Sequence, residues 1–113
     1  MKKIEAIIRP GQFDNVRDAL AKMGLIGLNT SELRGFGRRK GHAEVYRGVE
    51  YLVESHEYVK IEIIVEDDYT QETVDTIMKA ARTGALGDGK IFVSPLEKVF
   101  SIRTGEESIT DVI

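Results

Sequence analysis

The sequence predicts an α+β fold of two successive β-α-β units, and a repeat and a pair of helical periods carry that prediction. Lys3-Ile4-Glu5-Ala6-Ile7-Ile8 returns as Lys60-Ile61-Glu62-Ile63-Ile64-Val65, and both copies read as strands. Each copy is followed by a helical period, with Phe13, Val16, Leu20 and Met23 on one face in the first half and Val74, Ile77, Met78 and Ala81 in the second. A further extended stretch closes each half, roughly residues 25–35 and 91–95. The result is the ferredoxin-like double β-α-β arrangement.

Period-two alternation points Ile4, Ala6, Ile8, Val59, Ile61, Ile63 and Val65 towards the helices. The other face carries Glu5, Ile7, Lys60, Glu62 and Ile64, too apolar a set to be left wholly in water, so an oligomer that covers it is expected. The plainer alternative is that Ile7 and Ile64 are ordinary exposed apolar residues of a monomer. Gly24 and Gly84 stand where helices stop, because glycine reaches the left-handed conformation without a Cβ penalty. Asp68 and Gln71 read as a capping pair for the second helix. Between the halves, about residues 37–57 have no clean period, which is longer than the ~12–15 residues usual for a structureless connection. Val45, Tyr46, Val49, Tyr51, Leu52 and Val53 give this central loop apolar groups suited to ordering against a partner protein, with a β-hairpin packed on its own domain as the alternative.

The chain of 113 residues has room for one domain, residues 1–113, and its 42% apolar and 31% charged residues suit a globular core. The net charge of −3 comes from interspersed acids and bases, so no broad basic surface argues for nucleic acid. With no cysteine there is neither a disulfide framework nor a thiolate metal site. Glu5 and Arg9 interrupt the apolar run that a signal sequence starting at Met1-Lys2-Lys3 would need, and no segment approaches the ~20 apolar residues of a membrane span. A cytoplasmic protein without direct membrane insertion is expected.

Two glycine-rich segments offer phosphate chemistry. In the first, about residues 82–90, Gly84, Gly87 and Gly89 allow backbone N–H groups to converge on an anion and Lys90 adds a positive charge. It is not a P-loop, since Ile91-Phe92-Val93 after the lysine reads as a strand. Taken alone, Gly87-Asp88-Gly89 is as readily a turn. The second segment, Gly35 to Gly41, sets Arg38, Arg39 and Lys40 side by side, cations that need counter-charges or solvent. No catalytic constellation stands out: His42 and His56 lack the spacing of a metal site, and Asp67-Asp68 and Glu106-Glu107 are accounted for by solvation or a helix dipole.

These motifs resemble the PII signal-transduction proteins over essentially the whole chain. Tyr46-Arg47-Gly48-Val49-Glu50-Tyr51 is similar to the family's central-loop signature, with Val49 where a small residue is usual, and Thr83 through Val93 to its second signature. Gly35-Phe36-Gly37-Arg38 with Lys40-Gly41-His42 makes a third block. The resemblance implies a homotrimer whose central T-loops project outwards, with ATP or ADP as ligand in the clefts between subunits. By position it places Gly87, Asp88, Gly89, Lys90, Gly37 and Arg38 at the phosphates, with Arg103 from the adjacent subunit. Ile7, Gly35, Phe36, Glu62, Ile64 and Asn29 would line the ribose and adenine, Asn29 replacing a usual threonine. The loop would then dock on a membrane transporter or a metabolic enzyme, a population shift driven by differential affinity. Tyr51 stands where some relatives are uridylylated and serves equally as a docking anchor.

Three departures bear on the effector. Many relatives bind 2-oxoglutarate beside Mg-ATP through a loop-base glutamine and a lysine, and here those positions hold Arg39 and Tyr58. Guanidinium offers no oxygen to Mg²⁺, and Tyr58 lacks a charge whose bond typically contributes about 1.5–3 kcal/mol. Losing both implies a tenfold to hundredfold weaker effector, on the order of one decade per 1.4 kcal/mol, with Arg39 reaching a phosphate directly in place of the metal. Ser101 stands where an arginine usually holds the terminal phosphates, which reduces any preference for ATP over ADP. The alternatives are a conventional nitrogen-regulatory PII protein responding to 2-oxoglutarate, a slow nucleotide phosphatase, and a structural trimer of the copper-tolerance type.

Overall fold

A computed structural model of the chain describes residues 1–25, 27–38 and 53–107. The described elements run β1 (Lys2–Ile8), α1 (Phe13–Lys22), β2 (Asn29–Arg38), β3 (Val53–Val65), α2 (Thr70–Ala81) and β4 (Gly89–Pro95), with a single 3-10 turn before each helix. The strands form one antiparallel sheet in the order β2-β3-β1-β4. Each helix crosses from one strand to a strand two places away, which is the ferredoxin-like topology expected from the repeat.

The repeated hexapeptides are central neighbours. Lys3 faces Ile64, Glu5 faces Glu62 and Ile7 faces Lys60, so the two copies pair about a local twofold through Glu5 and Glu62. This register puts Ile4, Ala6, Ile8, Ile61, Ile63 and Val65 on the helix side, all buried, with Val59 packed at their margin. Val16 and Leu20 of α1 and Ile77 and Ala81 of α2 complete the core.

Helix ends explain most differences from the sequence reading. α1 stops as expected at Gly24, whose φ is +87° and whose N–H donates to the Ala21 carbonyl. The Leu25 N–H reaches back to Leu20, closing a Schellman-type cap. α2 stops earlier, because Arg82 is already extended, and Gly84 uses its φ of +89° inside the following loop. Asp68 and Gln71 do not form a capping pair: Asp68 sits within the 3-10 turn Asp67–Tyr69, and Gln71 donates to Asp75 instead. Thr73 takes the inward position assigned to Met78. It is fully buried with its hydroxyl donating to the Tyr69 carbonyl, while Met78 is half exposed. Strand pairing also reaches further than the pattern marked, since Arg38 faces Val53 across the β2–β3 ribbon. Residues 39–52, the middle of the expected loop, lie outside the described residues.

Replacing Ile61 with alanine removes a fully buried side chain from the central strand and is expected to cost about 2–5 kcal/mol. Denaturant unfolding of Ile61→Ala checks this.

Candidate functional site

The candidate site forms where β1 ends and β4 begins. Ile8 pairs with Gly89 and Ile7 with Lys90, so the loop entering β4 lies beside Arg9, the residue leaving β1. Asp88 organises this loop. Its Oδ2 accepts the N–H groups of Thr83 at 2.9 Å and Gly84 at 2.8 Å, and its Oδ1 accepts Arg9 Nε at 3.0 Å and the Thr83 hydroxyl. Thr83 Oγ1 accepts in turn from the Ala85 N–H at 3.2 Å. The Thr83 hydroxyl first, and the Arg9 guanidinium second, hold the Asp88 carboxyl well below the usual carboxylate range.

Two glycines meet steric demands here. Gly89 has φ +101°, and a Cβ on it would stand 1.7 Å from the carbonyl oxygen of Ile7. Gly87 has φ +96°, and a Cβ there would press on Arg9 Nη2 at 3.2 Å. The inward bonds occupy the N–H groups of residues 83–85, while the Lys90 side of the following strand is exposed. The Asp88 carboxylate shapes the loop rather than facing outward.

The register places the other predicted residues. On the sheet face away from the helices, one row runs Ser31, Lys60, Ile7 and Lys90, and the next runs Asn29, Glu62, Glu5 and Phe92. Ile64 follows beside Lys3. Ile7, Asn29, Glu62, Ile64 and Lys90 therefore share one face within two strand steps. Glu62 is engaged there: Lys60 Nζ lies 3.2 Å and Lys3 Nζ 3.4 Å from its carboxylate, which lowers its pKa, Lys60 contributing most. Gly35 lies further out on the same face, covered by the Tyr58 ring, whose Cε2 would be 2.8 Å from a Cβ on Gly35. Phe36 alternates to the opposite side and is 68% exposed.

The backbones of Gly37 and Arg38 end β2, while Arg39 and Tyr51 lie outside the described residues. Arg103 belongs to a C-terminal turn eight residues beyond the Pro95 end of β4. Ser101 is buried in that same turn, where its hydroxyl accepts the Thr104 N–H at 3.4 Å. Arg9 is the residue that the sequence reading missed as part of the loop, and the bonds from Arg9 and Thr83 to Asp88 were equally unmarked. Their partnership depends on the β1–β4 register, which no local pattern reports. Among the described residues no group of three or more His, Cys, Asp or Glu side chains is placed to hold a metal, and no helix is long and apolar enough to cross a membrane.

A small ferredoxin-like subunit with a structured glycine loop at one sheet end defines a class that comparison makes specific. The family model described as "Nitrogen regulatory protein P-II" matches residues 1–106. "Nitrogen regulatory protein P-II 1" of Escherichia coli K12 is 56% identical over 107 residues, covering 95% of this chain and 96% of that one. "Nitrogen regulatory protein P-II" of Bradyrhizobium diazoefficiens is 54% identical over 109 residues, covering 96% and 97%. The crystal structure of Arabidopsis thaliana PII bound to citrate aligns with a TM-score of 0.76 at 38% identity, covering 95% of this chain and 84% of that one. The chain belongs to the PII nitrogen regulatory family, whose members are regulators rather than enzymes.

Gly89→Ala is expected to lower stability by at least about 2 kcal/mol, because Gly89 can move off the Ile7 carbonyl only by breaking the β1–β4 ladder; thermal unfolding measures it. The depressed Asp88 pKa has a defined sign. Its contribution is fully present above the unfolded aspartate value of about 3.9 and disappears as pH falls through the lower folded value. The Thr83 and Gly84 amide resonances should therefore hold steady from neutral pH to about 4 and move only in stronger acid.

Proposed function

We propose that the protein is a trimeric, cytoplasmic regulator that binds ATP or ADP between subunits and controls a target transporter or metabolic enzyme through the loop of about residues 37–57. The observation that carries this reading is the loop folded in on Asp88 immediately before β4, which sets Lys90 beside Ile7 at one end of the sheet face. Glycine backbone and one lysine suit a phosphate chain, and Ile7 and Ile64 offer apolar surface to a base, with Asn29 and Glu62 as polar groups nearby. Arg103 is assigned to the neighbouring subunit's site.

Nucleotide alone is the principal signal in this proposal. Tyr58 packs its ring against Gly35 instead of presenting a cation, and Arg39 brings positive charge where a Mg²⁺ ligand would need oxygen. Both features weigh against strong 2-oxoglutarate sensing. Ser101, inside its turn, contributes no charge to discriminate a third phosphate.

Calorimetric titration of ATP and ADP, each with and without Mg²⁺ and 2-oxoglutarate, tests the proposal. Both nucleotides should bind below millimolar concentration, with 2-oxoglutarate adding little to Mg-ATP. Lys90→Ala should weaken either nucleotide about tenfold or more. Failure of both nucleotides to bind overturns the reading, and tight 2-oxoglutarate binding overturns its effector part.

A further inference from the structure

We propose that Arg9 is a positioning residue that holds the phosphate loop in its binding shape before any nucleotide arrives. The inference rests on the nucleotide reading above for its functional consequence, but the strut itself is a property of the free protein. Arg9 follows β1 directly and leads into the 3-10 turn Pro10–Gln12, so its backbone is anchored at the edge of the core. Its guanidinium then bridges two points of the loop: Nε donates to Asp88 Oδ1 at 3.0 Å, and Nη2 donates to the Leu86 carbonyl at 2.6 Å.

The two bonds have different effects. The bond to Asp88 orients the carboxylate that receives the Thr83 and Gly84 N–H groups. The bond to Leu86 turns that carbonyl towards the guanidinium, away from the side where an anion would meet a repelling oxygen. Gly87 makes room for the strut, since a Cβ there would press on the same nitrogen. Leu86 itself projects outwards, 87% exposed, so no side-chain packing holds this part of the loop. A planar fork with fixed donor directions serves two acceptors at once, which a lysine ammonium on a flexible stem does less well.

The test pairs Arg9→Gln with Arg9→Lys in the full-length protein. Amide hydrogen exchange at Thr83 and Gly84, measured without nucleotide, is expected to quicken by about tenfold or more in Arg9→Gln and less in Arg9→Lys, while core amides such as Ile61 keep their protection. ATP and ADP should both bind about tenfold more weakly to Arg9→Gln, with the lysine variant in between. Unchanged exchange at both loop amides overturns the strut. Weakened nucleotide binding with unchanged exchange also overturns it, because it would show Arg9 touching phosphate directly. If the parent protein binds no nucleotide while exchange quickens as expected, the strut stands and the nucleotide reading falls. Should Arg9→Gln not fold, Arg9→Lys keeps charge and stem, and its loop exchange at the parent rate counts against the proposal.

Discussion

The pairing of the two repeated strands governs the rest of this molecule. β1 and β3 meet about the Glu5–Glu62 pair, and a slip of one residue would turn the whole apolar set of one strand, Ile4, Ala6 and Ile8 or Ile61, Ile63 and Val65, out of the core. Burial alone thus selects the register strongly. Its cost is two carboxylates placed face to face on the other side of the sheet, an unfavourable cross-strand pair. Lys3 offsets that cost, with Nζ 3.1 Å from Glu5 and 3.4 Å from Glu62, and Lys60 approaches Glu62 from the other side. Both lysines open a copy of the repeat, so the sequence that creates the carboxylate pair also supplies its counter-charges.

The same register determines where the loop can sit. Because Gly89 packs on the Ile7 carbonyl, β4 begins level with the end of β1, and the loop before it must turn beside Arg9. Asp88 then finds a cation next to it and backbone donors behind it. Sheet pairing, glycine conformation and carboxylate orientation are successive consequences of one alignment. The order matters, since backbone donors are available in a fixed geometry only when the backbone is already held.

Much of this was legible beforehand, and what was not has a common cause. The repeat and its alternation identified both faces of β1 and β3, and the helical periods found Val16, Leu20, Ile77 and Ala81. Glycine spacing located the loop at about residues 82–90. Illegible were features decided by neighbours distant in sequence. Asp88 reads as a residue of an exposed turn, yet its carboxylate is claimed by Thr83, Gly84 and Arg9. Thr73 is no part of the apolar face Val74, Ile77, Met78 and Ala81, yet the Tyr69 carbonyl satisfies its hydroxyl and allows it to be buried. Phe36 and Gly35, neighbours in one motif, face opposite ways because β2 runs straight through both to Arg38, and alternation shows this only once the extent of the strand is known.

β3 joins two regions of unequal anchorage. From Val59 to Val65 alternate residues enter the core, whereas His56 and Glu57 are exposed and held by the ladder to β2. Resistance to opening should fall along the strand in that direction, because few apolar contacts back the outer hydrogen bonds. Tyr58 marks the change. Its ring lies on Gly35, with His56 meeting it edge-on at a centroid distance of 6.4 Å. A lysine in its place would keep its charged head in water and leave the Gly35 backbone open. The phenol instead uses the flat surface that glycine provides to clamp β2 to β3 just where core support ends. That packing contact ties the conformation of the ribbon to the space over Gly35.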